Sequence, residues 1–156
     1  MFIRYFARTD ETDLGRVAAA YCEALVASGI PVRLVSTRVA ELQLDRRGRS
    51  SSLWDKHRDL LLTPMKGAYA NVVCGEPADW TRFHTTGIRN ILLLAESNLE
   101  PEVTQLALMD AVERFDLVLA PTGAIATVVE RVTGLRPPVV TPGTDHVGSL
   151  MRTHIQ

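Results

Sequence analysis

No apolar run in this sequence approaches the ~20 residues that a membrane-spanning helix needs, so no helical membrane span is expected. Cysteine is scarce. Cys22 and Cys74 stand alone, too few for a disulfide framework and without the spacing of a zinc site. Neither sign of charge dominates: 17 Lys and Arg face 18 Asp and Glu, a formal net charge of -1. No bulk attraction to nucleic acid or to an anionic membrane follows. The opening MFIRYFARTDE lacks the long apolar centre and small-residue cleavage site of a signal peptide. A reducing, cytoplasmic setting is therefore expected. His57, His84, His146 and His154 are scattered without metal-ligand spacing, and no metal or cofactor is expected.

Two phosphate-binding patterns are also missing. No G-x-G-x-x-G follows the first apolar run, and no G-x-x-x-x-G-K-[ST] occurs anywhere. The tight glycine turns that let a backbone approach a pyrophosphate are thus absent, which argues against dinucleotide binding and P-loop chemistry. A nucleophile elbow is lacking as well, and spacing alone assembles no Ser-His-Asp or Cys-His set.

What is present reads as a layered globular fold. The chain has 156 residues, 46% hydrophobic and 22% charged, enough for one domain over 1–145 with a C-terminal tail at 146–156. FIRYFA (2–7) suits a strand. Leu14, Val17, Ala18, Tyr21, Cys22, Leu25 and Val26 then recur at helical spacing, with Gly29 placed to end that helix. IPVRLVS (30–36) is a second strand, and the polar stretch 37–52, with DRRGR at 45–49, reads as a loop. Leu53 to Leu62 is expected as a short helix. ANVVCG (70–75) and the segment near 90–95 give strands three and four, and 101–114 gives a helix. FDLVLA (115–120) is the fifth strand. Thr122 can cap the helix that Gly134 ends, and PPVVTP (137–142) is expected as a sixth strand.

Near-continuous aliphatic strands alternating with helices indicate a parallel sheet buried on both faces. The expected fold is α/β: a doubly wound, three-layer, Rossmann-like sandwich around a mainly parallel six-stranded sheet. In such sheets ligands bind beyond the carboxyl ends of the strands. The candidate ligand-binding residues are therefore Arg8, Thr9 and Asp10 after strand one, and Gly75 and Glu76 after strand three. Glu96, Ser97 and Asn98 follow strand four, and Thr122 and Gly123 follow strand five. No catalytic residue emerges from the pattern. Cys22, Cys74, Trp54 and Trp80 are expected to pack in the interior.

DLVLAPTGAIATVVERVTG followed by PVVTPGTD resembles the N-terminal half of a GT-B glycosyltransferase, in the retaining, nucleotide-sugar-dependent branch. Pro121-Thr122 matches that family's strand-ending turn, and Pro142-Gly143-Thr144-Asp145 resembles its crossing turn, with Thr144 in place of an apolar residue. TDLGRVAAAYCEALVASGIPVRLVS is similar to its first helix and second strand. The similarity spans nearly the whole chain. It implies an acceptor-side layer that binds a sugar or nucleotide sugar, and it implies a donor-binding domain that this sequence does not encode. The stretch ARTDETDLG also lacks the family's glycine-rich first loop. Two readings stay open. One is a glycosyltransferase-like half, not catalytically complete alone or part of a split enzyme. The other is a non-catalytic assembly subunit in a homo-oligomer or a larger particle such as a virion.

Overall fold

The computed structural model describes residues 1–37, 52–96 and 103–142. Strand β1 (Phe2–Ala7) leads through α1 (Asp13–Ala27) to β2 (Val32–Ser36). A short helix α2 (Ser52–Asp55) and a 3-10 turn (Arg58–Leu62) precede β3 (Tyr69–Cys74). Then follow α3 (Pro77–Arg82), β4 (Arg89–Leu93), α4 (Val103–Arg114), β5 (Leu117–Leu119) and α5 (Gly123–Thr133). The strands form one five-stranded sheet, ordered β2-β1-β3-β4-β5, in which every pair is parallel.

Side chains alternate across this sheet. On one face Ile3, Tyr5, Leu34, Val72, Ile91 and Leu93 pack against Leu14, Ala18, Cys22 and Leu25 of α1 and against Trp54 of α2. On the other, Phe6, Val73, Leu92, Leu94 and Val118 meet Trp80 of α3, Leu108 and Ala111 of α4, and Ile125, Ala126 and Val129 of α5. Apolar residues are needed on both faces, which is why the strands read as unbroken aliphatic runs. Helix ends follow the sequence signals. Thr12 Oγ1 accepts the Gly15 N–H at 3.2 Å at the start of α1. Thr122 Oγ1 accepts the Ile125 N–H at 3.2 Å, and Gly134 closes α5 with φ +79°, where a side chain would be strained.

The expected sixth strand does not form. Residues 137–142 contribute one isolated parallel bridge, Val139 to Ala120. Pro137 and Pro138 have no N–H to donate, so pairing is limited to Ala120 N–H on Pro138 O at 2.9 Å and Val140 N–H on Ala120 O at 2.8 Å. Leu53 to Leu62, expected as one helix, divides into α2 and the 3-10 turn. Helix α3 was not expected. Pro77 opens it, and the Asp79 carboxylate returns to accept the Glu76 N–H at 3.0 Å. The 45–49 loop, residues 143–145 and the 146–156 tail lie outside the described residues. Among the described residues no helix is long and apolar enough to cross a membrane.

Toward the amino edge the sheet carries a buried polar lock. Asn71 and Asn90 stand opposite each other on β3 and β4, both buried. Asn90 Nδ2 donates to the carbonyls of Thr85 and Ile88 at 2.8 and 2.9 Å, while its Oδ1 accepts the Thr85 N–H at 3.0 Å. Asn71 Nδ2 donates to Thr85 Oγ1 at 2.9 Å, and its Oδ1 accepts Arg4 Nε at 3.0 Å. The Arg4 guanidinium also lies 4.9 Å from the ring centres of Phe6 and Tyr69. Every member finds a partner, so the network fixes the register of β3 against β4 and the path of the turn into β4. Replacing Asn90 with Leu leaves several of these groups unpaired in the interior. Urea unfolding of Asn90→Leu is expected to show a loss of about 2–4 kcal/mol; a loss under about 0.5 kcal/mol would contradict the lock.

Candidate functional site

Strands β1 and β3 are neighbours although β2 comes between them in sequence. The loops that leave their carboxyl ends therefore lie side by side, and the Arg8 N–H reaches the Cys74 carbonyl at 3.3 Å. Arg8 bridges the two loops. Its Nε donates to Asp10 Oδ2 at 2.5 Å and its Nη1 donates to Glu76 Oε1. Asp10 is further held by the Thr12 N–H at 3.1 Å and by the Thr12 hydroxyl, both on Oδ1. The Asp10 carbonyl accepts Trp54 Nε1 at 3.2 Å, and a Cβ at Gly15 would overlap that carbonyl, so residue 15 must be glycine for the turn to close. On the β3 side, Trp80 Nε1 donates to the Gly75 carbonyl at 3.1 Å, and a Cβ at Gly75 would come within 2.7 Å of Asp79 Oδ2.

Burial pushes the Asp10 carboxyl up, but the hydrogen bonds from Thr12 and Arg8 outweigh it and hold the group below its ordinary range. The Arg8 and Asp10 side chains are 14% and 17% exposed, whereas Glu76 is 43% exposed. The cluster is therefore anchored at Asp10 and open to solvent at Glu76.

Thr9, between two charged neighbours, turns inward. It is buried, and its hydroxyl shares a 2.7 Å hydrogen bond with Ser36 Oγ. It joins β1 to β2 rather than facing a ligand. Cys74 is also buried, which pushes its thiol up to about 12 and keeps it protonated.

The remaining candidates divide. Glu96 and Thr122 come together in a cavity of about 370 Å³ that Asp13, Val17, Pro121, Thr141 and Pro142 also line. Two carboxylates and two hydroxyls thus face one volume, with prolines and Val17 as its apolar walls. Thr122 already accepts the Ile125 N–H, so its hydroxyl proton remains to donate outward. Gly123 is exposed at the start of α5 and is not among the cavity's lining residues. Ser97 and Asn98 lie outside the described residues. Asp13 falls in the segment that leaves β1 and Thr141 at the end of the expected sixth strand, though the sequence singles out neither as a ligand-binding residue. Asp13 looks like an ordinary first-turn acid of α1, and Thr141 belongs to the segment expected as a strand.

His57 is buried behind this edge, its ring edge-on to Trp54 at a 5.7 Å centroid distance. Its Nε2 has no hydrogen-bond partner among the described residues. Burial and the neighbouring Lys56 charge lower its pKa from 6.5. The unfolded chain therefore takes up a proton before the folded one does. Stability is full above about pH 6.5 and falls as pH drops below it, with a slope limited to about 1.4 kcal/mol per unit for one proton. Asp10 adds a second loss below its ordinary 3.8, as protonation breaks its hold on Arg8 and Thr12. His57→Phe is expected to flatten the upper limb of the stability profile and Asp10→Asn the lower. An unchanged slope between about pH 6.5 and 5 in His57→Phe contradicts a neutral, buried imidazole.

Comparison with protein-family models returns no match, and comparisons with curated proteins and with solved structures return none.

Proposed function

We propose that the carboxyl edge of the sheet binds a carbohydrate, in the manner of the acceptor-side layer of a GT-B-type glycosyltransferase. The observation that carries this reading is the cavity between α1, Glu96 and the Thr122 turn. Its lining residues include two carboxylates, Asp13 and Glu96, and no cation among the described residues.

A phosphate placed directly there would meet two like charges. Each such contact at 4 Å costs about 1 kcal/mol in water and about 4 kcal/mol at an effective dielectric near 20. A neutral hydroxylated ring suits the lining better. Its hydroxyls donate to the carboxylates in charge-assisted hydrogen bonds, and Thr122 offers a proton in return. The apolar face of the ring finds Pro121, Pro142 and Val17. At about 370 Å³ the space is within the usual range for a small-ligand site. The nucleotide half of a donor has no matching lining in this cavity, which fits an acceptor role.

The assembly reading has less behind it. Leu106 and Met109 are exposed one turn apart on α4. Among the described residues the other large apolar side chains that are exposed, such as Leu62, Met65 and Leu135, lie outside α4.

Saturation-transfer NMR and calorimetry with neutral oligosaccharides test the proposal. Binding is expected near the millimolar range, about -4 kcal/mol. Glu96→Gln and Asp13→Asn should each weaken it about five- to tenfold, since each removes a hydrogen bond to a charged group. Absence of transfer from any neutral sugar, or preference for an amine such as spermidine over sugars, would overturn it.

A further inference from the structure

A second opening, of about 550 Å³, is lined by Glu11, Arg16, Leu53 and Lys56, and lies between α1 and α2. Its lining differs from that of the first in carrying two cations, Arg16 and Lys56, beside one acid, Glu11. Lys56 donates to Glu23 on α1. The Arg16 guanidinium meets no carboxylate among the described residues, and burial does not account for it, since the residue is exposed. An arginine that lines a cavity without an acceptor presents its whole fork of donors to whatever enters.

The two openings are neighbours along α1. Asp13, which lines the acidic cavity, and Arg16, which lines the basic one, are three residues apart on α1. Side chains at that spacing are about 5–6 Å apart at Cβ, the width of one sugar ring. A ligand that places a hydroxylated ring on the Asp13 and Glu96 side can therefore extend a charged group to the Arg16 and Lys56 side. The sign of that group follows from Arg16: an oxyanion is repelled by Asp13 and Glu96 in the first cavity and can take the guanidinium donors in the second.

We propose that Arg16 and Lys56 form an oxyanion subsite, and that the ligand of this edge is a sugar bearing a phosphate or carboxylate group. The inference rests on the carbohydrate reading above and narrows it to a class. Leu53 supplies the apolar wall of the subsite, and the Lys56 ion pair with Glu23 tethers α2 to α1 across it.

Calorimetric titration of the full chain with glucose, glucose 6-phosphate, glucuronate and inorganic phosphate tests this. At least one anionic sugar is expected to bind about tenfold more tightly than glucose, and the gain should shrink as salt screens it. Arg16→Gln should abolish the gain while leaving glucose affinity unchanged, and Arg16→Lys should retain part of it. Whether glucose 6-phosphate or glucuronate shows the gain identifies the anion. Equal affinity for glucose and both anionic sugars overturns the subsite while leaving the carbohydrate reading intact. A gain that survives in Arg16→Gln also overturns it. Inorganic phosphate binding that requires Arg16, with no binding of glucose, supports the subsite and overturns the carbohydrate reading. No binding of any probe overturns both.

Discussion

After stepping outward from β1 to β2, the chain returns past β1 and lays β3 on its other side. That reversal governs what the carboxyl edge can do. The loops leave these neighbouring strands toward helices on opposite faces of the sheet, α1 on one and α3 on the other, and the Arg8 side chain bridges them. Burial of both sheet faces makes the reversal rigid: β1 and β3 carry Ile3, Tyr5, Val72 and Cys74 into one core and Phe6 and Val73 into the other. The loops then have little freedom. Arg8 joins them through Asp10 and Glu76, Trp54 and Trp80 bond their carbonyls, and Gly15 allows α1 to begin against the Asp10 carbonyl.

The two ends of the sheet use polarity differently. Toward the amino edge, Asn71, Asn90, Thr85 and Arg4 satisfy one another, and the polar groups are spent on register. At the carboxyl edge one cavity has carboxylates and no cation in its lining, while the other has both signs. Asp13 and Glu96 face one cavity, and Arg16 and Lys56 face another. A ligand with a neutral polar part and an anionic part would use both.

Much of the fold was legible in the sequence because burial leaves a periodic trace. Seven apolar positions at helical spacing marked α1, Thr122 and Gly134 bracketed α5, and aliphatic runs marked the five strands. Helix α3 left no such trace, since six residues are too few for a period to develop and its signal was only Pro77 with the Asp79 cap. The sixth strand was misread for the opposite reason: Val139 and Val140 look strand-like, but the flanking prolines remove the donors that a ladder needs. The candidate site was legible only as a set of strand ends. That Thr9 would turn inward, or that Asp13 would share a cavity with Glu96 and Thr122, depends on strand order and loop direction, and local pattern encodes neither.

The proposed ligand site lies at the carboxyl edge, whereas the polar side chains toward the opposite edge bond one another. Amide chemical-shift mapping during titration with a neutral oligosaccharide locates the contact residue by residue. Shifts are expected at Asp10 to Asp13, Glu96, Thr122, Gly123 and Thr141, with Tyr69 and the amides from Thr85 to Asn90 unmoved. Shifts concentrated at Tyr69 and Thr85 to Asn90, with the carboxyl edge silent, would contradict the account.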